Sequence, residues 1–154
     1  MTLKTVEWKD KSVVMIDQTK LTNELIFVTY TDYNDVANAI KTLVIRGAPA
    51  IGVAGAFGLA LAALQSKATT KEDMIKDLEQ AKKILFETRP TAVNLAWGLN
   101  KMMDVTKDCQ NINEIKESIV DAATSLAEDD VKINKAMGKN GAKLFDNNDT
   151  IMTH

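Results

Sequence analysis

Apolar and polar residues alternate over the first thirty positions. After that, a three-to-four-residue period holds nearly to the end of the chain. Val6-Glu7-Trp8-Lys9 and Ser12-Val13-Val14-Met15-Ile16-Asp17 read as two strands joined through Asp10-Lys11 as a hairpin turn. Residues 25–30, rich in β-branched and aromatic side chains, predict a third strand. Asp32 is placed to cap a helix. From Tyr33 onward, Val36, Ala37, Ile40, Leu43 and Val44 share one face, so this helix is predicted to stop near Ile45 or Arg46.

Pro49 suits a first helical position and opens a second helix running to about Ser66. Gly52, Gly55 and Gly58 recur at three-residue intervals inside it. Glycine costs a helix about 0.5–1 kcal/mol relative to alanine, so three of them imply very close packing by neighbours. Thr70 caps a third helix with Asp73 as its capping-box partner. Met74, Leu78, Ala81 and Leu85 form its apolar face, and it ends at Thr88-Arg89-Pro90. A fourth helix follows at once, with Ala92, Leu95, Ala96, Leu99, Met102 and Met103 inward. Residues 107–113 read as a polar loop. A long fifth helix over 113–145 places Ile115, Ile119, Ala122, Ala123, Leu126, Val131, Ile133, Met137 and Leu144 on its apolar positions. Asp146-Asn147-Asn148-Asp149 is a turn cluster, and residues 150–153 look like the start of a strand. A lone strand there has no later partner, which reads as the first part of a longer protein. The class is therefore α+β: a β element over 1–31, a helical domain over 32–148, and over 149–154 the first strand of a further domain.

Composition narrows the function. The 154 residues carry 19 basic and 21 acidic side chains, a net charge of −2, with no basic stripe to engage nucleic acid. The single cysteine, Cys109, excludes an internal disulfide and fits a reducing, cytoplasmic compartment. Residues 48–66 carry no charge, which raises the question of a membrane helix. Their three glycines and many alanines, beside otherwise ordinary soluble sequence, favour a buried central helix.

The chemistry concentrates in Arg46-Gly47-Ala48-Pro49-Ala50-Ile51-Gly52. A fixed positive charge stands one tight turn before a helix N-terminus, and Gly47 and Ala48 keep that turn free of bulk. Ala48, preceding proline, is pushed out of the helical region and marks the boundary. Exposed amides, the positive end of the helix dipole and a guanidinium then face one place, which is a small-anion site suited to a phosphate ester. Glu87-Thr88-Arg89-Pro90-Thr91-Ala92-Val93-Asn94-Leu95 repeats the arrangement, with Thr91 and Asn94 adding polar groups. Arg89 could instead cap the preceding helix. Arg46 and Arg89 are the only arginines in the sequence, every other basic residue being lysine. Two arginines at two helix openings can hold one phosphorylated ligand from two sides.

Other candidates are weaker. His154 is the only histidine and stands at the end, so no metal cluster or histidine-based triad is available. Cys109 reads as an incidental thiol in a polar loop, and Asp17-Gln18-Thr19 as a structural turn. Trp8 and Trp97 read as core or rim packing, and Met74, Met102, Met103 and Met137 as core fillers.

Residues 39–52, Ala39-Ile40-Lys41-Thr42-Leu43-Val44-Ile45-Arg46-Gly47-Ala48-Pro49-Ala50-Ile51-Gly52, closely resemble the methylthioribose-1-phosphate isomerase family, as does Arg89-Pro90-Thr91-Ala92-Val93-Asn94-Leu95. Val6-Glu7-Trp8 and Ile16-Asp17-Gln18-Thr19-Lys20-Leu21 resemble its opening. The resemblance spans nearly the whole chain. Its wider superfamily includes ribose-1,5-bisphosphate isomerase and the regulatory subunits of translation initiation factor 2B.

The resemblance implies a small β element and helical domain followed by a Rossmann-like α/β domain. It implies conversion of 5-methylthioribose 1-phosphate to 5-methylthioribulose 1-phosphate in methionine salvage, with no metal or organic cofactor, in a cytoplasmic homodimer when full-length. Substrate-binding residues carry over as Arg46, Gly47, Ala48 and Arg89. The family's catalytic cysteine follows a Thr-His pair within Thr-His-Cys-Asn-Ala-Gly, whereas this chain ends on Thr153-His154, and the catalytic aspartate lies further on. Cys109 does not match that position, so no catalytic residue is assigned here and the 154-residue chain alone is expected to be inactive. Because the anomeric oxygen is esterified, the sugar ring cannot open freely. Arg46 and Arg89 would orient the phosphate, while the cysteine and aspartate would move the proton or hydride.

Overall fold

A computed structural model describes residues 3–152. Strands β1 (Val6–Lys9), β2 (Ser12–Ile16) and β3 (Phe27–Tyr30) form an antiparallel sheet in the order β1-β2-β3. The hairpin closes with Lys9 opposite Ser12, and Asp10 and Lys11 both take positive φ (49° and 58°). That pair of left-handed residues matches the right-handed twist of the strands it joins. β2 stops one residue before the expected Asp17, because the Asp17 carboxylate accepts from the Thr19 amide at 2.9 Å and its hydroxyl at 2.6 Å, turning the chain away. β3 starts at Phe27, two residues later than predicted.

Five helices follow: α1 (Tyr33–Lys41), α2 (Ala48–Gln65), α3 (Lys71–Glu87), α4 (Val93–Val105) and α5 (Ile112–Gly141), the last tightening into a 3-10 turn at Ala142–Leu144. The α+β class is as the sequence predicts. α1 ends four residues short of Ile45. Leu43 turns left-handed (φ 64°), and the Val44 and Ile45 amides fold back on the Ala39 carbonyl at 2.9 and 3.4 Å. Ile45 is still fully buried, so a loop that doubles back onto the core mimics a continuing apolar helix face. α4 does not begin directly after Pro90: Ala92 is its N-cap, behind a turn closed by the Ala92 amide on the Arg89 carbonyl at 3.0 Å. The turn at 146–149 forms, with the Asp146 amide on the Asp149 carboxylate at 2.8 Å. Residues 150–152 form no strand, and Thr153 lies outside the described residues.

α2 is the axis of the bundle. Thirteen of its eighteen residues are buried, and α1, α3, α4 and α5 all touch it. It is apolar and long enough to cross a membrane by composition, and here that surface is spent on neighbouring helices. The glycine spacing has the expected packing cause. A β-carbon on Gly52 would lie 2.8 Å from the Asn94 carbonyl oxygen, and one on Gly98 would lie 2.6 Å from the Gly52 carbonyl oxygen. Gly55 and Gly58 instead admit the side chains of Leu95 and Leu85.

Three expectations fail in instructive ways. Cys109 sits in a loop but is buried in the core, its thiol donating to the Val105 carbonyl at 3.3 Å. Met74, Met102 and Met103 fill the core as predicted, but Met137 is 58% exposed. Val131, Ile133 and Leu144 are likewise exposed: the apolar period of α5 continues past the end of the bundle it packs on.

Gly52→Ala and Gly98→Ala are each expected to cost about 1–3 kcal/mol, because backbone rather than a flexible side chain meets the added methyl. Gly138→Ala, in open helix, is expected to stabilise by about 0.5–1 kcal/mol. Urea unfolding followed by circular dichroism measures all three, and an equal loss at 52, 98 and 138 would remove the close-packing account.

Candidate anion site at two helix starts

The loop before α2 is held by its backbone and leaves its charge free. The Gln18 amide donates to the Val44 carbonyl at 2.9 Å, and the Gln18 side-chain Nε2 donates to the Arg46 carbonyl at 3.1 Å. The Asp17–Thr19 turn, read from sequence as structural, is therefore what anchors the arginine loop. Arg46 itself is exposed. Gly47, not Ala48, is the boundary residue: it is the N-cap with φ 95° and ψ 128°, and Ala48 is already helical. Only glycine takes that backbone conformation readily.

Arg89 is half-buried in the turn between α3 and α4. Thr88 is the C-cap of α3, its hydroxyl donating to the Leu85 carbonyl at 2.6 Å, and the Arg89 amide donates to the Phe86 carbonyl at 3.2 Å in the same turn. Among the described residues, neither the Arg46 nor the Arg89 guanidinium joins any of the ion pairs or side-chain hydrogen bonds.

The helix starts themselves differ in kind. α1, α3 and α5 are capped by the side chains of Asp32, Thr70 and Asn111, and each has an acidic residue in its first turn. α2 and α4 have neither a side-chain cap nor an acid there. Each helix start leaves amides without an internal partner and carries about half a positive charge. Side-chain caps answer that field at three helices; among the described residues α2 and α4 have none, and Asp130 of α5 shares cavities with Pro49. α2 and α4 also meet within their first two turns, through Gly52 against Asn94 and Gly98. Arg46 and Arg89 stand two residues before α2 and four before α4.

α5 runs antiparallel to α2. Its Asn113 and Lys116 share a cavity with Leu64, while its Asp130 and Asn134 line cavities with Pro49 and Val53. α5 thus passes the start of α2 and divides the space beside it into two grooves of about 400 Å³ each. One is bordered by Gly47, Lys4 and Lys135, and the other by Gly52, Asn94, Trp97 and Met137. Neither lining includes Arg46 or Arg89. Trp97 is 53% exposed, with the Lys101 ammonium 5.2 Å from its ring centre, a rim position rather than a core one. Trp8 packs on Phe57, ring centres 5.7 Å apart. His154 lies outside the described residues. The sequence reading missed Gln18 as the anchor of Arg46, and Asp130 and Asn134 as groove walls. The polar triplet after β2 was a visible signal for the first; the α5 residues had none, since only packing brings them to α2.

Residues 44–154 match the Initiation factor 2 subunit family, and the chain belongs to it. Within that family it is similar to isomerases and to a translation initiation factor subunit. It is 44% identical over 156 residues to the methylthioribose-1-phosphate isomerase of Geotalea uraniireducens, covering 100% of this chain and 45% of that protein. It is 42% identical over 150 residues to the Thermosipho africanus protein of the same name, covering 97% and 43%. The fold matches a crystal structure of 5-methylthioribose 1-phosphate isomerase from Pyrococcus horikoshii OT3 with TM-score 0.87 and 45% identity, over 94% of this chain and 41% of that one. It also matches translation initiation factor eIF-2B subunit delta from A. fulgidus with TM-score 0.88 and 38% identity, over 96% and 43%. The fold alone does not separate these two; sequence identity favours the isomerase. The chain spans less than half the length of the curated relatives it matches.

Gly47→Ala tests the turn. The added methyl would meet nothing nearer than the Ala50 β-carbon at 4.0 Å, so the expected loss of about 1–3 kcal/mol comes from backbone strain alone. Thermal unfolding measures it, and a variant as stable as the parent would show that the loop does not depend on glycine.

Proposed function

We propose that the abutting starts of α2 and α4, with Arg46, Gly47, Ala48 and Arg89, bind the phosphate of a sugar 1-phosphate. In this reading the chain is the substrate-holding part of an isomerase that converts 5-methylthioribose 1-phosphate to 5-methylthioribulose 1-phosphate in methionine salvage. The observation that carries it is the pairing of two helix starts lacking side-chain caps and first-turn acids with two arginines whose guanidiniums, among the described residues, join no ion pair or side-chain hydrogen bond. An esterified phosphate supplies the missing acceptors for the amides and the counter-charge for both guanidiniums. The names of the relatives support the choice of sugar phosphate.

The division of labour follows from the chemistry. With the anomeric oxygen esterified, the reaction turns on a proton or hydride moving between C2 and C1 of a sugar held by its phosphate. Positioning of this kind lowers the barrier by converting an encounter into an oriented complex. No acid–base group is assigned to this chain, which spans 45% of the length of its Geotalea uraniireducens relative. The reading calls for no metal or organic cofactor. It places the full-length protein in the cytoplasm as a homodimer, away from nucleic acid and membranes.

Calorimetric titration of the chain with 5-methylthioribose 1-phosphate tests the site. Arg46→Ala and Arg89→Ala are each expected to weaken binding about tenfold or more, as loss of a hydrogen bond to a charged group of about 1.5–3 kcal/mol requires. Arg46→Lys should recover only part, since an ammonium lacks the planar fork. Equal affinity in parent and both alanine variants would overturn the assignment.

A further inference from the structure

The second half of α5 stands apart from the bundle. Every residue from Val131 to Asn140 is exposed, on all sides of the helix, and Ile133, Met137 and Leu144 are 57%, 58% and 82% exposed. Helical turns without tertiary packing are marginal in water. Gly138 and Gly141 weaken these turns further, by about 0.5–1 kcal/mol each relative to alanine. A β-carbon at either would meet nothing within 4 Å, so no packing inside the chain explains them. An apolar stripe on such a helix calls for a covering surface from outside.

The pattern along the stripe says which surface fits. Asp130, Ile133, Met137, Asn140 and Leu144 follow one another at alternating steps of three and four, the spacing of a seam between two helices. Laid antiparallel against itself, this seam matches: Ile133 meets Met137 of the second copy, and Asp130 meets its Asn140. Beside the seam, Asp129, Ala136 and Lys143 recur at seven-residue intervals. An antiparallel pair centred on Ala136 sets Asp129 against Lys143 at both ends, with two small alanines between. A parallel pair would set Asp129 and Ala136 against Asn134 and Gly141 and gain no ion pair. Lys132, Lys135 and Lys139 fall on the opposite side of the helix, away from the seam. Asp129 is paired with Lys132 at 3.1 Å, an exposed contact of the kind that contributes little and is easily exchanged. Among the described residues Lys143 joins none of the ion pairs.

We propose that the second half of α5 is a self-association surface, covered by α5 of a second copy of this chain running antiparallel about Ala136. The charge order, acidic at one end and basic at the other, is self-complementary only in that direction. From Asp129 to Lys143 is about 21 Å of helix. A contact of that length falls below the roughly 1,200 Å² of stable interfaces, so the dimer is a transient one. It uses none of the residues assigned to the phosphate and stands or falls apart from them.

Analytical ultracentrifugation of the 154-residue chain tests this. Between about 5 μM and about 500 μM, the weight-average mass is expected to rise from that of the monomer toward that of the dimer. Asp129→Lys and Lys143→Asp, each alone, should weaken association about tenfold or more, because each brings like charges together at both ends of the seam. Mixed in equal amounts, the two variants should associate at least as tightly as the parent, since one then carries lysine at both positions and the other aspartate. Met137→Ser should weaken association as well. The side chains changed are exposed or partly so, so the fold is expected to survive, and a circular dichroism melt checks it. A parent that stays monomeric at about 500 μM would overturn the proposal and leave the stripe to a different polypeptide. Association that Met137→Ser weakens while both charge variants and their mixture behave as the parent would also overturn it, as adhesion without this register.

Discussion

The backbone-to-backbone approach of α2 and α4 is the constraint on which the site rests. Gly52 and Gly98 let two helices meet where any side chain would strike a carbonyl. Because the contact lies in the first two turns of both helices, it sets their N-termini side by side. Two positive helix ends brought together repel each other, and the arginines that precede them add charge of the same sign. The sequence offers no carboxylate in either first turn to relieve this. The fold therefore holds two helix starts without side-chain caps close together, sustained by the apolar burial around α2. A dianionic ester would neutralise their positive ends.

The surroundings of that field are built by ordinary means. The three-stranded sheet contributes little to the core beyond Val13, Met15 and Ile16. Its larger service is the turn after β2, which carries Gln18 to the arginine loop and ties that loop by its carbonyls. Fixing the backbone while leaving the guanidinium unpaired lowers the entropy that binding must later overcome, without spending the charge internally. Three helices satisfy their own starts with local caps and so present nothing to a ligand.

α5 has two characters along one length. Its first half buries Ile115, Ile119, Ala123 and Leu126 against the bundle. Its second half runs on past the start of α2 with Ile133 and Met137 uncovered. A helix that outlasts its support exposes its apolar stripe, and here Ile133 and Met137 share a groove with Pro49 and Gly52 of α2.

The sequence by itself determined the class and order of the elements, the hairpin turn, the caps at Asp32 and Thr70, the central place of α2, and the pairing of Arg46 with a proline-opened helix; at Pro90 the helix starts later, behind a turn. These are local or periodic properties, carried by residues within a turn or two of one another. Element ends were less well determined, because Val44 and Ile45 keep a helical apolar spacing while the chain has already turned left-handed at Leu43. Burial was misjudged at Cys109 and Met137 for a related reason: polarity of the neighbours hides a loop residue that folds inward, and periodicity cannot say where the supporting bundle stops. Only the tertiary structure decided that α2 and α4 meet within their first two turns, that Gln18 holds the Arg46 loop, and that α5 walls the grooves. Each of those joins residues far apart in the chain, through distances that no local pattern encodes.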